Sequence, residues 1–262
     1  MKRRSSWQIQ KAVVFALLMR EIKTRFGGNL AGVVWVLGAP LLQLAVLVWI
    51  NTMLRGRLTR GSFEFPLFLL IGMVPYQLFK GLWVQVMNSV SANRGLFGFK
   101  QVKPIDTMVA RTVLETCIDS LVLVVAMAVL GRIGYAPVVP LDAFAVMACI
   151  LLLVLLGMGL GVLSAVIVEV LPRWQLFVQL LAMPLYLLSG IIFSLHGFPQ
   201  EMVSLLLWNP VLHLVELCRA AWLPGYSLLP GVNWTLPLAW IIVVWTLALN
   251  LYWLRRRKLV MS

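Results

Sequence analysis

The stretch AFAVMACILLLVLLGMGLGVLSAVIV, residues 143–168, contains no charged side chain. At a rise of ~1.5 Å per residue, a helix of this length reaches about 39 Å, more than the roughly 30 Å hydrocarbon core of a bilayer. Two further runs, from Phe26 to Leu54 and from Ala220 to Leu254, are equally free of charge. In the second, Pro224, Pro230 and Pro237 leave only the latter half able to run as one straight helix. The whole chain is 61% hydrophobic and 12% charged, with a mean hydropathy of +0.95, which is far from a soluble domain. The fold expected is all-α, a polytopic membrane protein with six spans near 30–52, 65–87, 109–131, 143–168, 175–194 and 236–254.

Charge sets the orientation. Seven Lys/Arg precede the first span, Arg255, Arg256, Arg257 and Lys258 follow the last, and the loop between spans two and three carries Arg94, Lys100 and Lys103. The opposite loops hold fewer, so both termini are expected on the cytoplasmic side. The net charge of +13 is mostly a topology signal, because these residues flank spans and form no soluble basic domain. Nucleic-acid binding is not expected. Lys80, inside the second span, can snorkel or face protein.

The first 29 residues form a unit of their own. The apolar run Ala12–Met19 ends in Arg20-Glu21 with no small-residue cleavage site, which argues against a signal peptide. An amphipathic interfacial helix fits better, with Phe15, Leu18, Met19, Ile22 and Phe26 on one face and Arg20, Lys23 and Thr24 opposite; Val13 and Leu17 interrupt the pattern. Residues 30–254 would then be the transmembrane domain and 255–262 a basic tail.

The motifs of nucleotide and catalytic sites are missing: the chain has no Walker A sequence, H-E-x-x-H or G-x-S-x-G. Gly157-Met-Gly159-Leu-Gly161 lies inside an apolar run, where no helix N-terminus is available to cradle a phosphate, and reads as a close-packing surface. Cys117, Cys149 and Cys218 have no metal-ligand spacing and read as small core residues, so no metal site is expected. Arg111, Glu115 and Asp119 stand four residues apart on one helix face. An intrahelical Arg111–Glu115 pair is the structural reading and a proton relay the functional one.

The segment between spans five and six is too apolar for a solvated loop and too interrupted for a seventh span. Trp208-Asn209-Pro210 breaks it, since proline drives the preceding residue out of helix. Two short re-entrant helices fit, with His213, Glu216 and Arg219 close together; such segments are tolerated where they are buried in protein or line a cavity. Most aromatic residues at span ends, Trp35, Trp49, Trp83, Trp174, Trp234 and Trp253, read as the interfacial belt. Aromatic faces also stack on sugar rings, which makes Phe65, Tyr76, Phe79, Trp83 and Tyr186 candidates for lining a carbohydrate path.

The order of these features resembles a known family. Arg20-Glu21-Ile22-Lys23-Thr24-Arg25-Phe26, then Gly32-Val-Val-Trp35 and Pro40, is similar to the start of ABC-2 type export permeases. Asn93-Arg94-Gly-Leu-Phe-Gly-Phe-Lys100-Gln-Val-Lys103-Pro104-Ile-Asp106 resembles the coupling region of their capsular polysaccharide branch. Pro184-Leu-Tyr186-Leu-Leu-Ser-Gly190-Ile-Ile-Phe193, with Trp208-Asn209-Pro210, His213 and Glu216, resembles that branch's fifth span and outer gate helices. Two departures stand out: Ala31 where relatives often carry Leu, and a turn Glu169-Val-Leu-Pro172-Arg173-Trp174 without their common Arg-Asp pair.

The resemblance implies a permease subunit working as a homodimer in the bacterial inner membrane, moving a lipid-linked polysaccharide through a channel between two copies. ATP and Mg would bind a separate nucleotide-binding subunit, and this chain would carry no cofactor and catalyse nothing. Coupling to that ATPase would fall to Arg20, Glu21, Lys23, Arg25, Arg94, Lys100, Lys103 and Asp106. An outer gate would comprise Trp208, Asn209, Pro210, His213, Glu216 and Arg219. A periplasmic co-polymerase and an outer-membrane export protein would continue the path. The same architecture accommodates O-antigen, teichoic acid or a hydrophobic drug. From other classes, an ion-coupled secondary transporter and a membrane-embedded enzyme remain as alternatives, the first disfavoured by the lack of paired mid-membrane acids.

Overall fold

The computed structural model describes residues 5–27, 30–55, 64–99 and 101–261. Its regular elements are helices: α1 (Ser6–Phe26), α2 (Leu30–Arg55), α3 (Phe65–Met87), α4 (Ser89–Ala92), α5 (Pro104–Ile133), α6 (Ala143–Val170), α7 (Trp174–Leu188), α8 (Gln200–Leu206), α9 (Pro210–Trp222) and α10 (Thr235–Met261). Four of them, α3, α5, α6 and α10, are long and apolar enough to cross a bilayer. The bent pair α8–α9, folded by 105° at 207–209, makes a fifth if counted as one span.

Of the other expected spans, 30–52 lies wholly within α2, whose described apolar stretch is Val34–Ile50. The expected span 175–194 contracts to the 15 residues of α7, a length of about 22 Å. It stops because Ser189 turns out of helix and Gly190 takes a left-handed φ of 65°. The last helix is longer than expected. The basic tail 255–262 is no separate segment, since α10 continues through Arg255–Lys258 to Met261. No Gly or Pro interrupts 255–261, and cations suit a helix C-terminus.

α3 is the hub, buried almost all round and packed against α5, α6 and α9. Three glycines let α6 serve two neighbours. A Cβ on Gly157 would sit 2.9 Å from the Phe79 carbonyl and one on Gly161 2.6 Å from Val86 Cβ, so both need bare backbone against α3. Gly159 faces the other way, where a Cβ would lie 3.0 Å from Trp245 Nε1 of α10. That indole donates to the Leu155 carbonyl at 2.9 Å.

The bundle has two ends. At one lie α1, the segment 88–103, the start of α5 and the last turns of α10, packed around Val86, Phe97, Met108 and Leu259. At the other, Glu64 accepts from the Ala136 N–H at 2.9 Å, and the Asp142 N–H bonds the Ala221 carbonyl at 2.9 Å. The latter contact ties α9 to the first turn of α6.

α1 turns to the bundle a residue outside its expected apolar face. Leu17 is its buried residue, while Phe15 is 62% exposed and Met19 is also exposed. The face turned to the bundle is mixed, because Gln10, Glu21 and Arg25 find polar partners there, and Phe15 is left to the outside.

Candidate functional site

At the end carrying both termini, α1 lies along the first three turns of α5. Ser5 and Gln8 close a capping box at its start, and Gly27 at φ 54° ends it. Glu21 Oε1 accepts from Arg111 Nε at 3.0 Å and from Asn93 Nδ2 at 3.1 Å. Arg25 pairs with Glu115, Gln10 Nε2 donates to Asp106 Oδ1 at 3.0 Å, and Arg20 donates to Asn93 Oδ1 at 2.9 Å. Arg111 completes its shell on the Gln85 carbonyl at 3.0 Å. The expected intrahelical Arg111–Glu115 pair therefore gives way to two pairs between helices. The cause is α1 itself, whose charges fall opposite those of α5. Asp119, the third member of that face, lies by Gly81 of α3; a Cβ there would be 3.9 Å from both Asp119 Oδ2 and Glu115 Oε2.

The coupling residues expected from sequence divide into two groups. Glu21, Arg25 and Asp106 are engaged within the chain, and Asp106 is buried, where it also accepts from the Lys103 N–H at 3.0 Å. Lys23, Arg94 and Lys103 are exposed, as is Arg20 despite its bond to Asn93. Lys100 lies outside the described residues. A polar crevice of about 210 Å³ opens between Glu21, Thr24, Arg25, Gln85, Arg111 and Glu115.

At the far end the broken helix is pinned. Asn209 caps α9 by accepting from the Val211 N–H at 3.0 Å, and its Nδ2 donates to Ser189 Oγ at 2.9 Å; Pro210 supplies the first turn. His213 Nδ1 lies 3.0 Å from both the N–H and the carbonyl of Asn233, and Nε2 lies 2.8 Å from the Leu207 carbonyl.

Glu216 and Arg219 are wholly buried and paired at 3.1 Å. The guanidinium also donates to the Gly190 and Ile191 carbonyls at 2.8 and 2.9 Å, and stacks 3.6 Å above the Phe68 ring. Tyr226 donates its hydroxyl to Glu216 at 3.0 Å; burial first, then the Glu216 charge, push that hydroxyl well above the usual tyrosine range, so it stays a donor. Gly72 makes room for the arginine, since a Cβ there would meet its NH2 at 2.5 Å.

Of the six residues expected at an outer gate, three are thus buried fasteners and two shape the break. Trp208, 72% exposed, projects from the bend. Beside it, Leu195, His196, Phe198, Glu201, Ser204 and Leu229 line an open groove of about 740 Å³.

The aromatic candidates for a channel lie inside the chain. Tyr76, Phe79, Trp83 and Tyr186 are buried, and Phe65 stacks beside Phe68. Tyr76 donates to the Ala182 carbonyl and meets Tyr186 edge-on at 5.1 Å; Phe79 packs between Tyr76 and Trp83. Trp83 leaves the expected belt, donating to Ser164 Oγ at 2.8 Å, and Trp174 reaches the same hydroxyl at 3.2 Å. Tyr76, Phe79, Trp83 and Tyr186 fill the seam of α3, α6 and α7, and Phe65 is partly buried. What α2 and α7 do present is apolar, with Trp35, Trp49, Leu180 and Met183 more than half exposed.

Sequence reasoning missed Gln10, Phe68, Gly72, Asn93 and Tyr226. Phe68 and Gly72 stand one turn apart, an aromatic and a gap on one face, but nothing in the chain indicated which cation would fill them.

Residues 12–223 match the family described as ABC-2 type transporter. The chain is 35% identical over 260 residues to the polysialic acid transport protein KpsM of Escherichia coli, covering 99% of each. It is 31% identical over 254 residues to the capsule polysaccharide export inner-membrane protein CtrC of Neisseria meningitidis serogroup B, covering 95% of this chain and 92% of the relative. Similarity to the capsule polysaccharide export inner-membrane protein BexB of Haemophilus influenzae is 28% over 216 residues, 82% of this chain and 81% of that one.

Proposed function

The chain belongs to the ABC-2 type transporter family, and from that premise we propose that it is the permease subunit of an ATP-driven exporter, moving a lipid-linked capsular polysaccharide across the bacterial inner membrane. The observation that carries this reading is a similarity running nearly end to end with a polysialic acid transport protein, alongside two capsule export inner-membrane proteins.

In this reading the spans are α2, α3, α5, α6, α7 and α10, and α8–α9 is a re-entrant hairpin on the periplasmic side. Residues 1–29 are the cytoplasmic start, 30–254 the transmembrane domain and 255–262 the basic cytoplasmic tail. The cluster of basic residues at the end bearing both termini supports that orientation. Two copies pair in the membrane, and the channel runs between them along α2 and α7. Support comes from the exposed apolar faces of those helices and from the closed interior of each chain.

ATP and Mg are held by a separate subunit that docks on Lys23, Arg94 and Lys103, with Lys100 on the same loop. The pinned hairpin with Trp208 at its bend forms the outer gate. A periplasmic co-polymerase and an outer-membrane protein receive the polymer.

Deleting the gene and scoring polysaccharide at the surface and inside the cell tests the reading. Loss of the coat with polymer accumulating inside is expected. A persisting coat would sink the glycan assignment, and disappearance of polymer altogether would point to synthesis.

A further inference from the structure

The charges that join α1 to α5 are arranged as a register code. Glu21 and Arg25 are one turn apart on α1, acid first; Arg111 and Glu115 are one turn apart on α5, base first. The two helices run in the same sense, so Glu21 meets Arg111 while Arg25 meets Glu115. A slide of one turn, about 5.4 Å, brings Glu21 to Glu115 (and Arg25 to Asp119) in one direction and Arg25 to Arg111 in the other. Either displacement sets like charges together in a site where the side chains of Glu115, Arg111 and Glu21 are only 6%, 12% and 15% exposed. Lifting α1 away leaves Arg111 on the Gln85 carbonyl alone and takes Arg25 from Glu115. Asn93, at the start of the basic loop, bonds both Arg20 and Glu21 and so joins that loop to the same block.

We propose that the interlocked pairs Glu21–Arg111 and Arg25–Glu115 hold α1 and α5 in a single register, so that motion imparted to α1 by an ATPase enters the bundle through α5. The proposal rests on the exporter reading above. Glu21, Arg25, Arg111 and Glu115 are positioning residues in it: they touch neither nucleotide nor polymer, and they transmit displacement without slip.

Arg111→Glu is the primary test, because Arg111 is not among the exposed basic residues assigned to ATPase docking. The variant complex is expected to retain the ATPase on co-purification and to hydrolyse ATP, while polymer export falls by about tenfold. Adding Glu21→Arg should restore export to within about threefold of the parent. Undiminished export in Arg111→Glu would overturn the proposal, as would an assembled double variant that fails to recover.

Register itself is measured in the chain alone, between spin labels at Thr24→Cys and Val113→Cys with the three native cysteines replaced by serine. Arg111→Glu should displace the distance distribution and the double variant should return it. In the assembled parent the distance should stay within about 2 Å between nucleotide-free and ATP-bound states, well under one helical turn. A turn-sized shift on ATP binding would overturn the proposal. Failure of the exporter reading would appear elsewhere, as an unsubstituted chain that retains no ATPase.

Discussion

Arg219 shows what a single buried cation demands. Its guanidinium is held by Glu216, two carbonyls and the Phe68 ring, with Gly72 hollowed out beside it. Replacing Arg219 with leucine strands the Glu216 carboxylate in the interior, where Tyr226 donates to it. The expected loss is about 3–5 kcal/mol, read as a lowered thermal midpoint of the detergent-solubilised protein. The double variant Glu216→Leu/Arg219→Leu removes both charges and should regain much of that stability. If the double variant were as unstable as the single one, the pair would matter for its packing and not its charge. The proximity of His213, Glu216 and Arg219 could be read from helical spacing alone. Their partners could not, because Phe68, Gly72 and Gly190 come from segments far away in the chain.

At the level of helices, α6 illustrates which patterns survive without coordinates. Gly157 and Gly161 read directly as a close-packing surface, since small residues four apart have few other uses in an apolar helix. A methyl group at Gly161 must push Val86 aside, so Gly161→Ala is expected to cost about 1–3 kcal/mol, whereas Gly95→Ala, with open space around it, should be neutral. Equal midpoints for the two variants would refute the packing account. α1 shows the opposite case. Its apolar periodicity gave a face containing Phe15 and Met19, but not the pairing of Glu21 and Arg25 with charges of α5. Hydrophobic spacing carries no information about a polar neighbour, and α5 supplies one. Likewise the aromatic residues at span ends looked like a belt, yet Trp83 and Trp174 share the Ser164 hydroxyl inside the bundle.

For the whole molecule, composition and charge alone indicated a helical membrane protein with basic residues gathered at one end. The lengths of its weaker spans needed three-dimensional packing, since Ser189 and Gly190 end α7 where hydropathy would have continued it. The division of the basic residues is also a property of the assembled chain: some are paired within it and others are exposed. Arg94→Glu combined with Lys103→Glu should therefore reduce co-purification of the ATPase severalfold without changing the thermal midpoint of the permease, because both side chains are exposed. Undiminished co-purification would remove the loop from the docking surface.

The interlocked pairs of α1 and α5 also constrain ancestry. Reversing any one of the four charges in a lineage creates a repulsion that persists until its opposite number changes too. Neutral glutamine is the passable intermediate, because it keeps a hydrogen bond with either sign of partner. Drift at these sites is then a two-locus walk through uncharged waypoints, and the two halves of this small lattice can be inherited but not independently revised.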